Sequence, residues 1–305
     1  MSILPDHDPT AIADAESPSV DTVIVPRTRD IGGFAVSRVL PSARRRMVGP
    51  FVFFDRFGPV ELIDGRSLEI PAHPHIGLAT VTYLFAGAIM HRDSLGTAQP
   101  IRPGAVNWMT AGRGIVHAER TSQAGNPPGA GLSGVQLWVA LPGAREEMSP
   151  GFAHHDCAAL PVMEGEGVQA RVILGRAFSR RSPVATEGEP VCVDCRLEAG
   201  ARLAVPAAEV DECAAYIVAG RLRVDGRDFD ASRLVVFKPG AAIVVSADAP
   251  ARLLLVGGAR ADGPRHIWWN FVSSSRDRIE AAKADWRAGR FPAVPGEVES
   301  IPLPE

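Results

Sequence analysis

The chain has 305 residues, 46% hydrophobic and 22% charged, with a formal charge of −3. That length admits one large domain or two of about 100–150 residues, and so slight an acidic balance gives nucleic acid or an anionic membrane no electrostatic hold. No apolar run approaches the roughly 20 residues that span a bilayer and no basic stretch followed by an apolar core marks a signal peptide, so a cytoplasmic protein is expected, with neither membrane nor direct nucleic-acid contact.

The first 21 residues hold Asp6, Asp8, Asp14, Glu16 and Asp21 but no Lys or Arg, and residues 1–21 are expected to form a mobile acidic tail. From Thr22 onward short apolar runs alternate with Gly/Pro turns, which is the pattern of an all-β chain. Arg44-Arg45-Arg46 reads as a solvated turn. The sequence then predicts a strand from Ala79 to Phe85, a turn at Ala86-Gly87 and a return strand from Ala88 to His91. Arg102-Pro103-Gly104 turns into a strand from Ala105 to Met109, and the tight turn Ala111 to Gly114 leads into a strand from Ile115 to Arg120. His154-His155 falls in a predicted loop, and His266 in a Gly/Pro-flanked connection. Cys192 and Cys195 have C-x-x-C spacing on a predicted strand from Val191 to Leu197. Residues three apart on a strand face opposite ways, so these read as buried thiols, not as a redox or zinc pair.

The pattern repeats. Tyr83 to Ile89 is echoed by Tyr216 to Leu222, and Arg102-Pro103-Gly104-Ala105 by Lys238-Pro239-Gly240-Ala241. Two related antiparallel β-barrel domains are therefore expected, at residues 22–150 and 165–260. A helix from Arg276 to Gly289, signalled by Ile279, Ala282 and Trp286 on one face, and an extended proline-rich tail should follow. This segment, 266–305, carries Trp268, Trp269 and Phe271 and is expected to pack on the barrels.

Two spaced pairs carry the chemistry. His73-Pro74-His75 and His117-Ala118-Glu119 each have i, i+2 spacing, which on a strand puts both side chains on one face. Facing strands would converge three imidazoles and one carboxylate, a set suited to Fe(II), Mn(II), Co(II) or Ni(II) and compatible with Zn(II). Such a shell leaves two coordination positions free for a substrate oxygen and dioxygen, or for a bidentate substrate. In the second copy the repeat alignment sets Pro206 and Ala208 opposite His73 and His75, and Leu253 and Leu255 opposite His117 and Glu119. Only the N-terminal domain is then expected to bind metal. His91 and Asp93, on the return strand, either support a ligating imidazole from outside or form an exposed pair.

Several segments together resemble the pirin family: Val48 to Pro59, His73-Pro74-His75 with Thr80 to Leu84, His91 to Gly96, Trp108 to His117, and Gln136-Leu137-Trp138-Val139. The specific motifs span about residues 45–142, with weaker similarity over Trp268 to Trp286. The resemblance implies a bicupin whose N-terminal cupin holds one iron through His73, His75, His117 and Glu119 and whose C-terminal cupin is metal-free. It implies one of two functions. The first is dioxygenation of a quercetin-like flavonol, a small aromatic enediol, with dioxygen as co-substrate and Glu119 as both ligand and transient base. The second is a non-catalytic, iron- or redox-dependent regulator that binds a transcription factor or metabolic enzyme. The chain departs from the family pattern at Ala79, where many pirins have a carboxylate. Its absence is expected to remove a group that assists the chemistry.

Overall fold

The computed structural model describes residues 9–14, 16–31, 34–62, 68–127, 129–207 and 210–304. The chain is all-β apart from a single α-helix and two short 3-10 turns among these residues, and it forms two cupin domains. Each consists of a large antiparallel sheet faced by a four-stranded one. In the N-terminal domain the large sheet runs Gly151–His155, Val106–Thr110, Leu78–Ala86, Gly131–Ala140, Phe51–Glu61, Phe34–Leu40 and Arg27–Ile31. The small sheet runs Glu69–His75, Ile115–Arg120, Ile89–Asp93 and Ala98–Ile101. The C-terminal domain repeats this order, with Glu212–Ala219, flanked by Leu234–Phe237 and Ala251–Gly258, at the centre of its large sheet. Its small sheet is Arg202–Val205, Ile243–Ser246, Arg221–Val224 and Arg227–Asp230.

The two large sheets pack face to face, and their strand alternation explains why. Along Leu78–Ala86, Ala79, Val81 and Tyr83 point into a core shared with Leu174, Cys192, Ala214, Tyr216, Leu254 and Val256 of the other domain. The intervening Thr80 and Thr82 point the other way. Burying each of the large apolar side chains contributes about 1.5–3 kcal/mol, so the two domains share one hydrophobic core. Tyr83 also donates to Asp194 Oδ2 at 2.8 Å, and Arg252 reaches the same carboxylate at 2.6 Å.

Three sequence expectations change. The described part of the acidic segment takes part in a sheet: Thr10–Ala13 pairs with Val20–Val25, which adds to Leu234–Phe237. Asp225 anchors it by accepting from the hydroxyls of Ser17 and Ser19 at 2.5 and 2.6 Å. Val20–Val25 thus adds to the large sheet of the C-terminal domain; His7 lies outside the described residues. His154 and His155 sit on a strand, Gly151–His155, paired with Val106–Thr110, and His266 begins a short one, His266–Trp268. The cysteines do face opposite ways, Cys192 into the shared core and Cys195 into the C-terminal domain's own.

The third correction concerns the repeat. Tyr83 and Tyr216 are equivalent, pairing with Val106 and Leu234 respectively. The second echo is out of phase. Arg102-Pro103-Gly104 precedes the strand Val106–Thr110, whereas Lys238-Pro239-Gly240 follows its equivalent, Leu234–Phe237. The strand matching Ile115–Arg120 is therefore Ile243–Ser246, and Ala251–Gly258 matches Gly131–Ala140. By pairing, Ile115 faces His75 and His117 faces His73, as Ile243 faces Val205 and Val245 faces Leu203. The positions opposite His73, His75, His117 and Glu119 are Leu203, Val205, Val245 and Ala247. Pro206, Leu253 and Leu255 are not the equivalents, and Ala208 lies outside the described residues. The corrected set is also wholly apolar and buried.

After the second domain the chain returns to the first. Phe271 bridges to Ile76, and Ser300 bridges to Ala72 beside the first histidine pair. Between them lies the helix Arg276–Arg287, whose Ser275 cap accepts from Arg278 N–H. Ile279 and Ala282 bury against Trp269 and Phe271, with Trp286 and Phe291 alongside.

Candidate metal centre

Two glycine turns set the strands that carry the site. Gly77 lies between His75 and Leu78 with φ +67°, and a Cβ there would meet the Val272 carbonyl oxygen at 2.0 Å. Gly112, with φ +52°, would meet that of Met148 at 2.1 Å. Gly77 N–H donates to the Gly112 carbonyl at 2.8 Å, tying the two turns together. Glu69–His75 and Ile115–Arg120 then pair in antiparallel register, with a bulge between His117 and Glu119.

His73, His75 and His117 converge: one nitrogen of each lies within 4.8 Å of the others, and all three rings are buried. His73 Nδ1 is 2.8 Å from the Pro71 carbonyl, and His75 Nδ1 is 3.1 Å from that of Asn270. A carbonyl only accepts, so in each neutral ring Nδ1 carries the proton and Nε2 keeps a free lone pair. His75 Nε2 and His117 Nε2 stand 3.1 Å apart. With imidazole–metal distances of about 2.0–2.1 Å, two nitrogens this close could both reach one ion.

Electrostatics favours the ligating form. Burial lowers His73 to about 4, against the opposing pull of the Pro71 carbonyl. Burial, and then the neighbouring imidazoles, push His75 and His117 well below the ordinary histidine value. All three are therefore neutral near pH 7, the state a metal requires.

Glu119 is placed differently. Its carboxylate groups with His117 and His91, and the four expected ligands do not form one cluster. Gln136 Nε2 donates to it at 3.2 and 3.3 Å, and Thr82 lies 3.3 Å away. Burial raises its pKa, opposed by His91 and by those two hydrogen bonds. His91 and Asp93 are buried, which removes the exposed-pair alternative. His91 Nε2 lies 3.0 Å from Asp93 Oδ2, and its Nδ1 lies 3.4 Å from His117 Nδ1. Although burial works against its charge, hydrogen bonds from His91 and Thr97 hold Asp93 below the ordinary carboxylate value.

His73, His75 and Glu119 open onto a cavity of about 180 Å³. Val36, Phe57, Leu68, Ile70 and Ile89 make its apolar wall, and Phe53 stacks on Trp138 at 3.9 Å beside His75. A bidentate ion pair, Arg38 with Asp55, lines the same space at 2.5 and 2.8 Å. Trp269, Asn270 and Ile301 close it from the C-terminal segment. Spacing along the sequence did not signal the Arg38–Asp55 pair or the Asn270 carbonyl, which meets His75 from 195 residues away. Ala79 points into the shared core, so a carboxylate there would face away from the cavity, and its absence takes nothing from this site. The chemistry of the donor set suits a borderline divalent cation: three neutral imidazoles, one carboxylate and no thiolate.

The comparisons with known proteins agree. The Pirin family profile matches residues 33–139, and that of the Pirin C-terminal cupin domain matches 192–292. A pirin-like protein of Caulobacter vibrioides is 48% identical over 291 residues, covering 94% of this chain and all of that one. A crystal structure titled quercetin 2,3-dioxygenase, from Acinetobacter baumannii, superposes with a TM-score of 0.86 at 34% identity, covering 93% and 94% of the two chains. A bacterial pirin from Escherichia coli, solved in complex with nickel(II), shares the fold with a TM-score of 0.60 at 16% identity, covering 77% and 96%. Fold, buried histidine cluster and whole-length similarity lead to one conclusion: this chain belongs to the pirin family.

Proposed function

We propose that this chain is a metal-dependent dioxygenase of flavonol-like enediols, with His73, His75, His117 and Glu119 holding one divalent ion, iron in the first place. Mn, Co, Ni or Zn would suit the same donors, and the nickel of the Escherichia coli relative is in keeping with that set. The observation that carries the reading is three neutral imidazoles clustered together, with the Glu119 carboxylate grouped on His117 and opening onto the same largely apolar cavity. When bound, the ion would chelate the substrate's hydroxyl and keto oxygens, stabilise the enediolate and bring dioxygen beside it.

The protein's own groups do the rest. Glu119, whose pKa burial raises, is suited to accept the substrate's hydroxyl proton on a carboxylate oxygen, while Gln136 orients it. Phe53, Trp138 and the aliphatic wall flank a planar ring and exclude water. No helix among the described residues is long and apolar enough to cross a membrane, and a cytoplasmic location belongs to this proposal.

Anaerobic reconstitution with Fe(II) followed by metal analysis is expected to give about one ion per chain. Oxygen uptake with quercetin is then expected in the native protein and not in His117→Ala. Failure to bind iron sinks the site. Binding without uptake across a flavonol and enediol panel would sink the enzyme and favour an iron-dependent regulator.

A further inference from the structure

We propose that Arg38, held by Asp55, is the specificity-determining residue of the cavity, and that it selects a single-ring vicinal diol carrying an uncharged oxygen at the far end of the ring. The inference rests on the proposed dioxygenase site and names the class of substrate that site takes. Size comes first. A cavity of about 180 Å³ is below the roughly 300–1,000 Å³ that enclose drug-sized ligands, and close to the roughly 150 Å³ that holds one benzene. A single ring is enclosed, whereas a flavonol, with its further rings, enters only by its chelating end.

The polar groups stand at two ends of this space. Arg38, Asp55, Gln136 and Thr82 lie side by side on successive strands of the large sheet. Gln136 and Thr82 hold Glu119. Arg38 is two strand spacings from Gln136, about 10 Å between backbones, a span that a ring substituted at both ends bridges. The guanidinium is fixed: Nε and Nη2 donate to Asp55 at 2.5 and 2.8 Å, and its carbon lies 4.2 Å over the Phe53 ring. Nη1 has no acceptor among the described residues, yet it is not one of the atoms buried without a partner. It therefore opens onto the cavity that Arg38 lines.

A donor already held in place loses little freedom on binding. Asp55 neutralises the guanidinium, so Nη1 offers N–H groups with no net charge behind them. An aldehyde, ketone or hydroxyl oxygen accepts from Nη1 without electrostatic penalty. A carboxylate there would face the carboxylate of Asp55 in a space poor in water, where repulsion is strong. The pair thus favours an uncharged oxygen over an anionic one.

Calorimetric titration of the full chain, metal-free and loaded with Ni(II) under argon, tests this with protocatechualdehyde, protocatechuate and methylcatechol, each substituted para to one hydroxyl. The native protein is expected to bind the aldehyde about tenfold tighter than methylcatechol, the worth of one hydrogen bond, and also tighter than the carboxylate. Asp55→Asn bares the guanidinium and should reverse the second preference. Arg38→Met with Asp55→Leu, an apolar replacement of the kind buried ion pairs tolerate, should erase both. Phenylcatechol, one ring larger, should bind the native protein about tenfold more weakly than methylcatechol.

Preferences that the native protein lacks, or that survive in the double variant, would overturn the assignment. A pair that only braces the sheet would lower every affinity together and leave the ratios as they are. Phenylcatechol bound as tightly as methylcatechol would overturn the single-ring limit. Should Asp55→Asn fail to fold, the double variant decides alone. Ratios in the metal-free chain do not depend on the ion. A chain that discriminates but binds neither Ni(II) nor Fe(II) loses the metal reading and keeps the role of Arg38; one that binds the ion without discriminating does the reverse.

Discussion

The two cupin domains share a strand order and differ in what fills the space between their sheets. In the N-terminal domain, His73, His75, His91, Asp93, His117 and Glu119 are buried there, and hydrogen bonds to the carbonyls of Pro71 and Asn270, from Gln136 and among themselves hold them. In the C-terminal domain the corresponding Leu203, Val205, Val245 and Ala247 join a continuous apolar cluster with Val172, Phe229 and Leu253. The fold itself therefore does not make a site. A buried polar group needs a partner, and in one domain a set of partners has been built around each proposed ligand.

The largest effect should come from breaking the histidine cluster. His117→Ala is expected to abolish bound iron and, with it, oxygen uptake. Val245→Ala, the same truncation in the other domain, should leave metal stoichiometry unchanged and cost only the stability of a small cavity, about 1–2 kcal/mol. Metal analysis of both purified variants makes the comparison directly. Equal metal content in the two would break it.

Acid should also separate the domains. In the metal-free protein the unfolded chain takes up histidine protons as pH falls below 6.5, while folded His73 resists until about 4. Stability is therefore lost on going down through that window, and regained on going up. The gap corresponds to about 3 kcal/mol from His73 alone, with His75 and His117 acting in the same direction. Denaturant titrations at pH 7 and 4.5 should show a fall that His73→Phe lessens. A stability independent of pH across this range would mean that the histidines are not held neutral.

Installing a ligand without its partners tests the other side. Val245 is fully buried within an apolar cluster. Val245→His should cost about 2–3 kcal/mol, from an unsatisfied imidazole and an overfilled core, and recruit no second metal ion. A second equivalent of bound ion would show that partners matter less than geometry.

How much of this was legible depended on distance along the chain. The i, i+2 pairs at His73 and His117 were readable because strand alternation fixes a face locally, and the structure brings the three imidazoles together. The repeat was readable at Tyr83 and Tyr216, where a whole hairpin recurs. It slipped at Arg102 and Lys238 because a basic residue followed by Pro-Gly specifies a turn and says nothing about which strands it joins. The bulge that sets Glu119 apart from His73, the carbonyl of Asn270 and the Arg38–Asp55 pair are products of long-range packing and left no local signal. Ala79 was noticed for its chemistry, but the face it occupies followed only from the docking of the second domain.

The smallest predicted effect concerns the segment that only one domain receives. The tail lies along the first histidine strand, with Ala72 N–H donating to the Glu299 carbonyl at 3.1 Å and Ile301 N–H to that of Ala72 at 2.9 Å. Arg120, next to Glu119, clamps it through Glu297 at 2.6 and 2.9 Å, and the Glu297 side chain is only 3% exposed. Glu297→Gln keeps the shape and removes the charge, so the loss should be modest, about 1.4 kcal/mol. If the tail opens as a local unit, the amide of Ile301 should exchange with solvent about tenfold faster. That of Val256, in the second domain, should be unaffected. Because Ile301 lines the cavity, the same variant is expected to admit bulkier flavonols. Faster exchange at Val256 as well would mean that the tail is part of one cooperative unit with both domains, and the asymmetry between them would be chemical but not mechanical.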